Sequence, residues 1–155
     1  MRTPVMFRLV GVCGAVAMMS GCATSAVFEQ ELAKSNTQTV LAFEETVFNK
    51  HEVREAFGHY VGPTFTQHEP QLSDSRSSVM AAYINLTTHE FPRSRMIVQR
   101  TVAQGNLVAT QALWQRDPGH GHDAGVAEVD IYRLENGRIV EHWNVVQGPS
   151  ASGEE

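Results

Sequence analysis

From residue 37 to residue 91 apolar side chains return every three or four positions, and from residue 95 onward they alternate singly. The first pattern predicts helices and the second predicts strands. In NTQTVLAFEETVFNK, Val40, Phe43, Val47 and Phe48 mark one helical face, with Asn36 or Thr37 as the cap. In HEVREAFGHYV, Val53, Phe57 and Tyr60 mark a second short helix, closed by Gly58 and Gly62-Pro63. TFTQHEP reads as a short extended piece that Pro70 stops. DSRSSVMAAYINLTTHE predicts a third helix, capped by Asp74 or Ser75 and ended at Phe91-Pro92. Its inward residues are expected to be Val79, Met80, Tyr83, Ile84 and Thr87.

Four strand-length runs follow: RMIVQRTVAQ, NLVATQALWQR, GVAEVDIYRL and RIVEHWNVVQ. QGN and ENGR separate them as hairpin turns do, and DPGHGHDAG joins the middle pair. Helices first and an antiparallel meander after is the α+β order. A curved sheet with helices across one face encloses a cone with a mouth, a common place for a small ligand.

The last hairpin, DIYRLENGRIVEHWNVVQ, carries acids and a histidine inside a strand pattern. A two-residue turn at Asn136-Gly137 sets Glu135 opposite Arg138 and Asp130 opposite Trp143. A three-residue loop sets Leu134 opposite Arg138 and Asp130 opposite His142, with Glu128 and Asn144 on the same side. One residue of slip exchanges the two, and the sequence leaves both open. Asp130 lies between Val129 and Ile131. Such a carboxylate is either a proton carrier in an apolar pocket or, with Glu128, part of a solvated sheet face. Gln67 and His68 sit at the end of a short strand, where polar recognition groups often stand.

Composition narrows the function. The 155 residues suffice for one domain with its own core. Net charge is −5 with no basic cluster, which argues against a nucleic-acid partner. His120, His122 and Asp123 lie close together in a glycine-rich loop, but no further ligand is indicated, so we expect no metal there. No phosphate-binding loop, dinucleotide fingerprint or serine-nucleophile elbow occurs, and no cofactor is expected.

The N-terminal segment has the layout of an export signal. Arg2 and Arg8 precede the apolar run LVGVCGAVAMMSG, too short for a comfortable membrane span, and Cys22 follows. MSGC before ATS resembles a bacterial lipobox, with Cys22 as the lipidated mature N-terminus; ordinary cleavage near Ala23 to Ala26 is the alternative. The expected organisation is a signal over 1–21, a tether over 22–35, one domain over 36–148 and a tail over 149–155. The mature chain would be periplasmic, touching the membrane only through that lipid. It would lose two basic residues with the signal, and Cys13 too, leaving no cysteine for a disulfide or for catalysis.

YVGPTFTQHEP and VDIYRLENGRIVEHWNVVQ together resemble the SnoaL-like polyketide cyclase family, within the nuclear transport factor 2-like superfamily. The resemblance spans roughly Thr37 to Gln147. It implies a cone-shaped α+β barrel, a curved antiparallel sheet wrapped around the N-terminal helices, with a deep pocket. It also implies a cofactor-free acid/base enzyme for a small hydrophobic carbonyl compound, performing aldol condensation with cyclisation, isomerisation or dehydration. Asp130 would be the acid/base, with His68 and His142 as catalytic partners. Gln67, Phe65, Trp143, Gln111, Tyr132 and Asn144 would contact the substrate. Gln111 and Leu113 stand where relatives often carry histidines. A homodimer is expected from the same resemblance. The alternative function is an envelope-tethered module that binds a small molecule or a protein without catalysis.

Overall fold

The computed structural model describes residues 20–70, 72, 74–119 and 125–147. The signal before residue 20, residues 120–124 of the GHGHD loop and the tail beyond Gln147 lie outside these. The order is α1 (Ser20–Glu44), α2 (Val53–Tyr60), β1 (Val61–Gln67), α3 (Arg76–Asn85), β2 (Arg95–Gln104), β3 (Leu107–Gln115), β4 (Val126–Glu135) and β5 (Arg138–Val146). The strands form one open sheet in the order β1-β5-β4-β3-β2. The meander β2 to β5 is antiparallel as expected, but β1 joins β5 in parallel, so the sheet is mixed.

Helix α1 begins earlier than the caps suggested and runs through the segment read as a tether. Asn36 is therefore mid-helix and buried, and its amide donates to the carbonyl of Gly105 in the β2–β3 turn at 3.0 Å. Helix α2 stops at Tyr60, and Gly62-Pro63 belong to β1. For α3, Ser75 is the cap: its hydroxyl accepts from the Ser78 amide at 3.2 Å.

Both α1 and α3 widen into one π-helical turn at their C-terminal ends, Glu45–Asn49 and Leu86–Glu90. The Lys50 amide donates to Glu45 and the Phe91 amide to Leu86, each five residues back. Threonine hydroxyls take carbonyls within these turns: Thr46 bonds Ala42 at 2.7 Å and Thr87 bonds Tyr83 at 2.8 Å. Asn49 then clamps the edge strand β2, donating to the Met96 carbonyl at 3.1 Å and accepting from its amide at 2.9 Å.

The core lies between the helices and the concave face of the sheet. Phe57 is its centre, with rings of Phe43, Phe65 and Tyr83 at centroid distances of 5.7, 6.2 and 6.0 Å. Tilted and edge-on contacts of this kind add to the area buried. Val40, Val47, Val53, Val79, Val108 and Ile139 fill the remaining space.

Candidate active site

In β4 the usual arrangement of a half-wet sheet is inverted. Glu128, Asp130, Tyr132 and Leu134 point inward and are buried, while Val129 and Ile131 face outward at 38% and 37% exposure. The polar residues of this strand are therefore not its solvated side.

Neither expected register holds along the whole hairpin. Asn136 and Gly137 have φ of 51° and 72°, the left-handed pair of a type I′ turn, and Glu135 faces Arg138 as a two-residue turn requires. A bulge follows at Val140, so that Arg133 pairs with Glu141, Tyr132 with His142 and Asp130 with Asn144. The extra residue brings His142 and Asn144 to the inner face beside Asp130.

The hydrogen bonds there define a single arrangement. The Gln67 side-chain oxygen accepts from the amides of His68 and Glu69, at 2.9 and 3.3 Å. Its Nε2 therefore donates to His142 Nδ1, 2.9 Å away. An accepting Nδ1 puts the ring hydrogen on Nε2, which donates to Asp130 Oδ1 at 2.8 Å. Asn144 Nδ2 donates to the same oxygen at 2.8 Å. Tyr132 stacks on the imidazole at 4.7 Å and 15°. Asp130 Oδ1 is thus held by two donors, while the buried Oδ2 has no partner among the described residues.

That carboxyl forms part of the wall of a cavity of about 370 Å³. Phe48, Leu86, Trp114 and Val126 supply apolar wall; Tyr83 and Asn144 are among its polar lining. The two π-helical turns contribute Phe48, Leu86 and Glu90, so the widened helix ends shape the mouth.

Two further carboxyls lie close by. Glu44, on the buried stripe of α1, accepts from the Thr110 hydroxyl at 2.6 Å. Burial lifts its pKa to about 8, and the charge of Asp130 adds to this. Burial likewise lifts Glu128 to about 8, with Asp130 and then Glu44 contributing repulsion. The phenols of Tyr83 and Tyr132 are raised well above their usual value, first by burial and then by Asp130. At neutral pH both glutamates and both tyrosines are therefore protonated.

The expected site residues divide four ways. Asp130 and Asn144 line the cavity. His142 and Gln67 stand behind Asp130 and hold it, so His142 does not present a nitrogen to a ligand. Phe65 and Tyr132 belong to the core cluster. The remaining three, His68, Trp143 and Gln111, stand on the opposite face. His68 stacks on Trp143 at 4.3 Å and 5° and donates to Glu141 at 2.9 Å. That bond, followed by Arg133, holds the Glu141 carboxyl below its usual range. Gln111 accepts from Arg100 and donates to Gln99 on the same outer surface. Sequence reasoning missed Glu44 as a site neighbour. Its signal was a charge four residues after Val40, on a stripe that should be apolar.

Helices against one face of an open sheet, with a buried acid in the wall of the cavity between them, define an α+β cone of the kind that commonly holds small ligands. The chain belongs to the SnoaL-like polyketide cyclase family, whose model matches residues 38–150. No curated protein matches. Among solved structures, a loop-truncation variant of IdmH is 21% identical with a TM-score of 0.60, covering 72% of this chain and 91% of its own. Bal32a from a soil-derived mobile gene cassette is 13% identical with a TM-score of 0.62, covering 74% and 90%. An NTF2-like protein of unknown function from Mesorhizobium loti is 17% identical with a TM-score of 0.58, covering 75% and 93%. At these identities the likeness establishes the fold.

Proposed function

We propose that the chain is a cofactor-free acid/base enzyme that removes a proton beside the carbonyl of a small hydrophobic compound. The carrying observation is the asymmetry of Asp130, a lining residue of the cavity: Oδ1 is held by His142 and Asn144, and the buried Oδ2 has no partner among the described residues. A carboxylate oxygen kept dry and uncommitted beside a cavity is what a general base requires. His142 and Gln67 are positioning residues, since their hydrogen bonds leave the carboxyl one orientation. Aldol cyclisation, isomerisation and dehydration share this proton abstraction, so the reading covers all three. The test is deuterium wash-in from heavy water at the acidic C–H of β-tetralone, a bicyclic ketone, with purified wild type and Asp130→Asn. An unchanged ketone, bound by both proteins and exchanged by neither, would favour a binding module.

The export reading is proposed with it. Mass spectrometry of the mature N-terminus is expected to find an acylated Cys22, and globomycin to block its maturation. A free N-terminus beyond Cys22 would exclude the lipid.

A further inference from the structure

Glu128 stands two residues before Asp130 on the same inward face of β4, so their Cα atoms are about 7 Å apart along the strand. It is 8% exposed and lines the same cavity, and its Oε1 has no hydrogen-bond partner among the described residues. Asn144 stands opposite Asp130 on β5, donating to its Oδ1 at 2.8 Å, and its amide also bears on Glu128, favouring the ionised form. Two carboxyls so close in a dry pocket do not both ionise readily. Asp130 has two donors on one oxygen, from His142 and Asn144, and therefore carries the charge. Glu128 keeps its proton, on a carboxyl that lines the same cavity as Asp130.

We propose that Glu128 is a second catalytic residue of this cavity: a neutral carboxylic acid that donates to the ligand's carbonyl oxygen while Asp130 takes the neighbouring proton. This rests on the acid/base reading of Asp130 given above. In the step, the α C–H bond breaks and its proton goes to Asp130 Oδ2. The C–H electron pair becomes a C=C bond, and the carbonyl π pair moves to oxygen. That oxygen takes the Glu128 proton, leaving a neutral Asp130, an ionised Glu128 and an enol. The reverse returns a proton, or a deuteron after exchange, to carbon, and no co-reactant is consumed.

The same wall selects the ligand class. Among the described residues, Glu69, Glu90 and Asp130 line the cavity beside the neutral Glu128, against one cation, Arg116. Its guanidinium lies over the rings of Phe91 and Trp114 at 5.4 and 5.6 Å. A carboxylate-bearing ligand would be repelled, so the substrate class is an uncharged enolisable ketone or ester. The groups that bear on Glu128's ionisation are Asp130 on its own strand, Glu44 from α1, Glu69 after β1 and the Asn144 amide from β5. Glu90, Arg116 and the Tyr83 phenol share the cavity with it. Glu128 titrates at about 8 in their company, which keeps it an acid at neutral pH.

The experiment has two readouts. Carbon-13 NMR of the glutamate side-chain carboxyls at neutral pH is expected to show neutral-acid signals, one of which vanishes in Glu128→Gln. An ionised Glu128 there would overturn the proposal whatever ketone is used. The second readout is β-tetralone exchange across pH. Glu128→Leu, which lacks a donor, is expected to lose about 10²–10³-fold. Glu128→Gln keeps an N–H donor and the fold, and should lose the fall in rate that wild type shows as pH passes about 8. Glu128→Leu exchanging at the wild-type rate, with Asp130→Asn inactive, would overturn the role of Glu128 and leave Asp130 as base. Asp130→Asn at the wild-type rate would overturn the underlying reading itself. An alkaline limb persisting in Glu128→Gln would assign that limb to another group and refute Glu128 as the acid.

Discussion

Asp130→Asn is expected to lower α-proton exchange by about 10²–10⁴-fold, the usual contribution of a positioned acid/base. The substitution is nearly isosteric, and its consequences follow from the two carboxyl oxygens separately. The amide oxygen of the variant can take the place of Oδ1 and go on accepting from His142 Nε2 and Asn144 Nδ2. The amide nitrogen then occupies the place of Oδ2, where nothing among the described residues competes for it. The network from Gln67 through His142 survives, and only the basic lone pair is removed. Loss of activity with a cooperatively folded chain is therefore the expected pair of results. Exchange that continues undiminished would remove Asp130 from the chemistry.

The second large effect is on stability. Burial pushes the Glu44 carboxyl up to about 8 in the folded chain, from an ordinary 4.5. Between those values the native state holds a proton that the unfolded chain has released. Fewer protons are bound by the unfolded state, so stability falls as pH rises through this window and levels off above it. At about 1.4 kcal/mol per pH unit, the whole drop is on the order of 3–5 kcal/mol for this one group. Glu44→Gln keeps an acceptor for the Thr110 hydroxyl, which now donates to Oε1 at 2.6 Å, and never ionises. The variant should match wild type near pH 4.5 and exceed it above pH 8, by urea denaturation midpoints. Glu128 contributes a slope of the same sign, so the variant flattens the curve without abolishing it. A wild-type midpoint that climbs with pH across this range would exclude a buried neutral Glu44.

The elements were legible because periodicity reports burial. RMIVQRTVAQ became β2 residue for residue, and Ser75 capped α3 as its sequence suggested. Parallel pairing of β1 with β5 was not legible, since it joins segments about seventy residues apart through no local signal. In the hairpin each expected register was right about one thing. Asn136-Gly137 does make the two-residue turn, and His142 and Asn144 do share a face with Asp130. Only a bulge satisfies both, and Val140 has nothing in its type to announce one. His68 and Trp143 were expected at the substrate because they adjoin Gln67 and His142 in sequence, and Gln111 because it stands where relatives often carry a histidine. Alternation along a strand sends such neighbours to the opposite face, and their aromatic and polar character does not say which.

The Val140 bulge also governs where this chain can change length. An insertion in the turn or removal of Val140 is absorbed before Glu141, so Arg133 still meets Glu141 and the inner face beyond it is preserved. The same single-residue change between Glu141 and Asn144 would reverse every later side chain, carrying Asn144 outward and Asp130 out of its hydrogen bonds. Sequence drift by insertion and deletion is thus cheap over 136–140 and forbidden a few residues later.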